Sequence, residues 1–460
     1  MFDLEQYRQF IATKGASAPT VGFAPKSLPD RLFVHQKRAV EFALEKGRAA
    51  LFLDTGLGKS GCEAVFADEC VRETGKPSLI LTPLAVARQM QRECEAFGVD
   101  ARVIRDESEQ WSGVNIANYE RIGKLDLSRF GAVVLDESSI LKSFNGATKR
   151  ALIEAFRDTP YRLAATATPA PNDHMELGTH AEFLGVMGSM EMLCRWFVND
   201  TSTASQDWRL KGHAVDDFWS WVASWARAAS LPSDLGGDDT GFILPPLKTQ
   251  LHICDVDLTL GAEDSFFRTP SNSATDIHQE KRNTLAERVA QSAEIANTHG
   301  GPVIVWCETN DESAALTKAI PDAIEVVGSM DMDVKEAALD AFTLGDRRVI
   351  VTKPRIAGFG LNWQHAQSQV FASLSHSYER YYQAVRRSWR FGQTGEVTAH
   401  IVVAETELPI WRNVQRKAAE HDRMKVAMAS AMRGAQTSRH RLAYTRAPEI
   451  ILPSFLGAKA

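Results

Sequence analysis

Ala50-Leu51-Phe52-Leu53, an unbroken apolar run, leads straight into Asp54-Thr55-Gly56-Leu57-Gly58-Lys59-Ser60. The run reads as a buried strand, and a glycine-bearing turn that ends in Lys-Ser is suited to holding a triphosphate. Gly56 and Gly58 let consecutive backbone N–H groups, with that of Thr55 beside them, turn inward on phosphate oxygens. The helix predicted to follow presents its positive end to the same anions. Lys59 then reaches the β- and γ-phosphates, and the Ser60 hydroxyl serves Mg2+. Leu53 stands where the usual G-x-x-x-x-G-K-[ST] pattern has glycine, so the match is partial.

Working outward, Gly131 to Ser139 reads GAVVLDESS, a second apolar strand that delivers Asp136 and Glu137 at its carboxyl end. Adjacent carboxylates can divide labour: Asp136 binds Mg2+, partly through water, and Glu137 orients and deprotonates an attacking water. A solvated Asp-Glu turn is the plain alternative. Gln383 to Gln393 reads QAVRRSWRFGQ and sets Arg387 and Arg390 three residues apart on one helical face. Guanidinium pairs of this kind suit charge spreading over a γ-phosphate, although an ordinary basic helix face has the same look.

Periodicity divides the chain into two similar α/β halves. In the first, apolar strands at 50–53, 78–82, 114–117, 132–135 and 162–165 alternate with helical stretches. In the second, strands at 303–307, 324–327, 349–352, 370–373 and 400–403 do the same. Alternation predicts two doubly wound parallel-sheet lobes in tandem, with a nucleotide cleft between their facing strand ends. The expected division is an N-terminal lobe over 1–245, including a tryptophan-rich, mostly helical segment over 174–245. A C-terminal lobe follows over 246–408, and then a basic, mainly helical tail over 409–460. The tail carries ten Lys or Arg against three acids, compatible either with phosphate contacts or with a solvated basic helix. In the tryptophan-rich segment, Phe218, Trp221 and Trp225 have helical core spacing. Trp208 and Trp219 are the candidates for base stacking.

In this order the segments resemble the superfamily-two helicases, most closely the Swi/Snf-type ATP-dependent DNA translocases. The resemblance runs over roughly residues 30 to 420 and implies two RecA-like lobes, ATP and Mg2+ as cofactors, and DNA as partner through sequence-independent backbone contacts. It assigns Gln36 to adenine, Gly360 and Gln383 to the nucleotide side of the second lobe, and Thr82, Asn118, Gly358 and Asn362 to the nucleic acid. Thr166-Ala167-Thr168-Pro169 looks like the element that links hydrolysis to lobe movement. The last motif carries Arg386 and Trp389 where many relatives have Asp and His. Compared with chromatin remodellers the chain leaves no room for histone-reading modules, and its compactness resembles helicases carried by tailed phages. Two rival readings are a motor subunit of a restriction or replication complex, with a partner protein supplying specificity, and an ATP-gated nucleic-acid clamp that does not move processively.

The bulk properties fit a multi-domain soluble ATPase: 460 residues, 44% hydrophobic and 24% charged, with a net charge of −6. No run of eighteen apolar residues or signal peptide is read, so no membrane association and a cytoplasmic location are expected. The six cysteines never form a C-x-x-C pair, which argues against zinc and for reduced core thiols. Asp322 with Asp333 and Lys335 loosely matches a nuclease metal site, but these acids fall where they would cap and solvate a helix start.

Overall fold

The computed structural model describes residues 18–83, 86–142, 146–170, 174–200, 207–255, 280–357 and 361–442. Their strands are, in chain order, β1 (Arg48–Leu53), β2 (Ser78–Thr82), β3 (Ala101–Val103), β4 (Val114–Asn118), β5 (Ala132–Asp136), β6 (Tyr161–Ala165), β7 (Phe197–Asp200), β8 (Asp207–Leu210), β9 (Ala226–Ala229), β10 (Leu247–Cys254), β11 (Val303–Trp306), β12 (Ala323–Val326), β13 (Val349–Thr352), β14 (Ser368–Phe371) and β15 (Val397–Ala404). Seven form one parallel sheet in the order β3-β4-β2-β5-β6-β1-β9, and six form a second parallel sheet in the order β10-β15-β14-β11-β13-β12. The remaining two, β7 and β8, pair antiparallel.

Each sheet is covered on both faces at its centre, which is why strands such as β1, β5, β11 and β13 are almost wholly buried and apolar, while the edge strands β3, β10 and β12 are partly exposed. Side chains alternate across a strand. Ala50 and Phe52 of β1 therefore enter one core with Leu79, Leu135 and Trp225, while Ala49, Leu51 and Leu53 enter the other with Phe66 and Ile80. The second sheet repeats this arrangement: Ile304 and Trp306 of β11 pack with Trp363 and Phe371, and Val303 and Val305 pack on the opposite face with Leu316. The two doubly wound lobes expected from periodicity are the observed fold.

The intervening segment departs from the mostly helical expectation. Phe197–Asp200 and Asp207–Leu210 pair antiparallel as β7 and β8, and Ala226–Ala229 add a strand to the first sheet beside β1. An Ala-Arg-Ala-Ala run carries no β-branched residue and so gave no strand signal. The tryptophans here are core: Trp196, Trp221, Trp225 and Phe218 are buried, and the rings of Trp196 and Trp221 stack 4.6 Å apart. Trp219 is buried as well, and Trp208 packs on the same cluster, so base stacking is not open to Trp219.

Strand β14 begins at Ser368, two residues before the expected start. Gln369 is wholly buried because its side chain accepts from Trp306 Nε1 (2.8 Å) and donates to the Val385 carbonyl (3.0 Å). Gln369, outside the expected strand, is here a satisfied core side chain. Of the cysteines, Cys194 is exposed rather than buried. Asp322 makes a two-pronged ion pair with Arg348, and Lys335 Nζ donates to the Gly328 carbonyl, so these two do not join in a metal site.

The described part of the basic tail forms one continuous helix, Leu408–Leu442, about 50 Å long at the usual rise per residue. Ile410, Trp411 and Val414 belong to the second-lobe core, whereas Met424 and Met428 belong to the first-lobe core. A freely solvated basic helix is thereby excluded for its first half.

Arg288 is the largest buried charge of the second lobe, held by Glu312 (2.7 Å) and Glu407 (3.3 Å). Removing it strands two carboxylates. Arg288→Met is expected to cost about 3–5 kcal/mol of stability in urea denaturation of the full chain, and a change within experimental error would show that the ion pairs contribute nothing.

Candidate functional site

The phosphate-holding turn springs from the carboxyl end of β1, and Asp136 ends β5, so both stand at one edge of the first sheet. Gly56 and Gly58 have φ of 99° and 75°, a left-handed backbone that side chains disfavour. Their neighbours also require glycine. A Cβ on Gly58 would collide with the Gln36 side chain, and one on Gly56 would lie 2.8 Å from Cβ of Phe391 in the second lobe.

Gln36 caps its own helix, Val34–Lys46, by accepting from Phe33 N–H (2.8 Å), and its amide donates to the Leu57 carbonyl in the turn (3.2 Å). Lys59 Nζ donates to the Leu53 carbonyl (3.1 Å). Glu137 has φ of 52°, and among the described residues it is the non-glycine with positive φ. Backbone strain of this kind gathers at functional positions. Thr166 Oγ1 donates to Glu137 Oε2 (3.2 Å), and Tyr119 Oη to the Asp136 carbonyl (2.7 Å). Thr168 Oγ1 reaches across to Glu379 of the second lobe (3.3 Å).

From the second lobe, Arg387 and Arg390 both donate to the Leu361 carbonyl, at 3.1 and 3.2 Å. One cavity of about 480 Å³ is lined by Gln36, Thr55, Gly56, Gly58, Lys59, Ser60, Asp136, Glu137, Arg387 and Arg390. Residues hundreds of positions apart therefore face one space. Aromatic rings close its mouth: Phe242 and Phe391 lie 4.4 Å apart, and Phe33 meets Phe242 edge-on at 5.5 Å, forming an apolar wall suited to a planar base.

Charge inside the cleft is concentrated and poorly hydrated. Burial and then the Glu137 charge push the Asp136 carboxyl up to about 7, against the pull of Lys59. Glu63, one helical turn beyond Lys59, is fully buried with neither carboxylate oxygen hydrogen-bonded among the described residues. Burial, followed by Asp136, raises it well above the usual carboxylate range. Burial and then Arg390 push Arg387 down to about 9. An excess of buried carboxylate beside the Ser60 hydroxyl fits a divalent cation. No cage of three or more metal-ligating side chains occurs among the described residues, as suits Mg2+ held chiefly by substrate phosphates.

Other residues named from the sequence are not part of this cavity wall. Gln383 is buried behind it with its side-chain amide nitrogen without a partner among the described residues, and its backbone carbonyl accepts from Arg387 Nε (2.9 Å). Thr82 is buried and pairs with Asn118 within 3.5 Å, while Asn362 is exposed. Gly358 and Gly360 lie outside the described residues. Residues not singled out in the sequence include Glu63, whose spacing of four from Lys59 was the available signal. Phe242 and Phe391 were missed as well, and Phe242 lies in a glycine- and proline-rich stretch.

The helicase conserved C-terminal domain family matches residues 269–392. The human DNA annealing helicase and endonuclease ZRANB3 is 23% identical over 449 residues, covering 86% of this chain and 40% of that protein. The SWI/SNF-related matrix-associated actin-dependent regulator of chromatin subfamily A-like protein 1 of Xenopus tropicalis is 28% identical over 163 residues, 33% of this chain and 17% of that protein. The chain thus spans less than half the length of either relative. S. cerevisiae Dbp5 bound to RNA and ADP BeF3 superposes with a TM-score of 0.55 at 12% identity, covering 94% of this chain and 98% of that one, which shows a shared fold.

A carboxyl raised in the folded state binds protons more tightly there than when unfolded. Its penalty is therefore absent below the ordinary value of 4.5 and grows as pH rises. Glu63→Met is accordingly expected to stabilise the nucleotide-free chain at about pH 8 by roughly 1–3 kcal/mol, with little gain near pH 4. Thermal melts at both pH values check this, and equal effects at the two would contradict it.

Proposed function

We propose that this chain, a superfamily-two helicase of the Snf2 type, hydrolyses ATP in its interlobe cavity to move along double-stranded DNA. ATP-dependent nucleic-acid remodelling is the coarser reading that a helicase domain and a DNA annealing helicase among its relatives support. Translocation on duplex DNA is the finer reading, and the observation that carries the ATPase part is the convergence of Lys59, Asp136, Glu137, Arg387 and Arg390 on one cavity.

In this reading the triphosphate draws Lys59 away from the Leu53 carbonyl and takes the N–H groups of the Gly56–Ser60 turn. Bound Mg2+, held by Ser60 and Asp136, would neutralise phosphate charge. Glu137, already fixed by Thr166, orients the attacking water and takes up its proton. Arg387 and Arg390 stabilise charge on the γ-phosphoryl oxygens, for which the planar guanidinium is suited. Departure of the cleaved phosphate after hydrolysis removes the charge that drew the arginines in, so the lobes part. The Thr168–Glu379 contact is placed to carry such a change. Thr82, Asn118, Gly358 and Asn362 are proposed to track the phosphate backbone, with Thr82 acting through Asn118 because its own side chain is buried.

Steady-state ATP hydrolysis is expected to rise with duplex DNA. Glu137→Gln should bind nucleotide normally but hydrolyse it about 100-fold or more slowly. Triplex-strand displacement on long duplex reports translocation, and a forked substrate beside it reports strand separation. ATP hydrolysis indifferent to DNA but stimulated by RNA would replace the substrate, and a Gln variant at wild-type rate would end the reading.

A further inference from the structure

Asp54 opens the phosphate-holding segment, where its backbone is fixed on both sides: its N–H donates to the Ala229 carbonyl (2.9 Å) and its C=O accepts from Leu57 N–H (3.2 Å). Its buried carboxylate gathers partners from three parts of the chain. Oδ1 accepts from Thr55 N–H (2.7 Å) and from the Tyr382 hydroxyl, while Oδ2 accepts from Arg386 Nη2 (3.1 Å) and Lys425 Nζ (2.9 Å). Lys425 also reaches the Tyr382 hydroxyl (3.2 Å). Tyr382 and Arg386 belong to the second lobe, and Lys425 to the Leu408–Leu442 helix.

Both sequence departures in the last motif fall in this cluster. The Trp389 ring lies 4.4 Å from the Arg386 guanidinium, and Trp389 Nε1 donates to the Pro245 carbonyl (2.7 Å). An arginine in place of the family's usual acid thus meets an acid on the opposite lobe, with the Trp389 ring packed on its guanidinium. Burial works against the carboxylate, but Arg386 and Lys425 hold Asp54 below the usual carboxylate range.

We propose that Asp54 is a positioning residue for the ATPase reaction: its carboxylate clamps Arg386 to the start of the phosphate-holding turn and thereby sets where the adjacent Arg387 stands over the cleft. This deepens the ATPase reading and rests on it. Lys425 has a separate part. Its helix is rooted in the first lobe by Met424 and Met428, so it remains beside Asp54 when Arg386 and Tyr382 withdraw. The acid then keeps one counter-ion, and opening the cleft does not leave an uncompensated buried charge. The long helix is on this account a working part of the motor.

The test uses the full chain with Asp54→Asn, Arg386→Gln and the double variant. Dyes are placed on exposed Cys194 and on Leu344→Cys, also exposed and in the second lobe. Each single substitution should lower kcat about tenfold, leave the affinity for a fluorescent ADP analogue within about threefold, and lengthen the interlobe distance; the double should be no worse than either single. Wild-type kcat in either single variant, additive losses, or an equal fall in ADP affinity would overturn the proposal. If the wild-type chain hydrolyses no ATP, the ATPase reading fails by itself. The dye distance still decides the clamp, and an unchanged distance in both single variants refutes it.

Discussion

Opposed charges held out of water across one cleft are the constraint on which the rest of this structure turns. Asp136, Glu137 and the buried Glu63 stand on the first lobe with Lys59, and Arg387 and Arg390 approach from the second. Burial pushes Asp136 and Glu63 up and Arg387 and Arg390 down, so these four charges are disfavoured where they stand. A magnesium triphosphate would satisfy both sides at once, with anionic oxygens for the guanidiniums and a cation for the carboxylates. The fold serves this end by turning the carboxyl edges of two parallel sheets toward each other.

Those features that rest on local pattern were legible in the sequence. Gly56, Gly58, Lys59 and Ser60 announce their turn because phosphate binding needs those residue types at that spacing. The unbroken apolar strands declare parallel sheets because both faces are covered. Arg387 and Arg390 were legible as a pair, but not on a helical face: the helix ends at Val385, and the two follow it in turn and bend backbone, where both donate to one carbonyl.

Other features depend on contacts that spacing does not encode. The Ala226–Ala229 strand has no β propensity and exists because β1 offers a free edge. Gln369 looks like loop and is core because Trp306 and Val385 satisfy it. Phe242 belongs to a stretch rich in glycine and proline, yet its ring packs 4.4 Å from that of Phe391, a residue of the other lobe. The carboxyl-terminal helix looked like a basic appendage because its apolar residues serve two cores in succession, one for each lobe, and so show no single face. Its role in joining them emerges only when Trp411 and Met428 are seen in different clusters.

The central claim is that a nucleotide gripped by one lobe is sensed by guanidiniums from the other. Single-turnover ATP hydrolysis by Arg387→Lys, with ATP binding measured on the same sample, tests it most directly. Lysine keeps the positive charge but lacks the planar fork. The account predicts binding within about threefold of wild type and hydrolysis slower by roughly a thousandfold. Hydrolysis at the wild-type rate would contradict it.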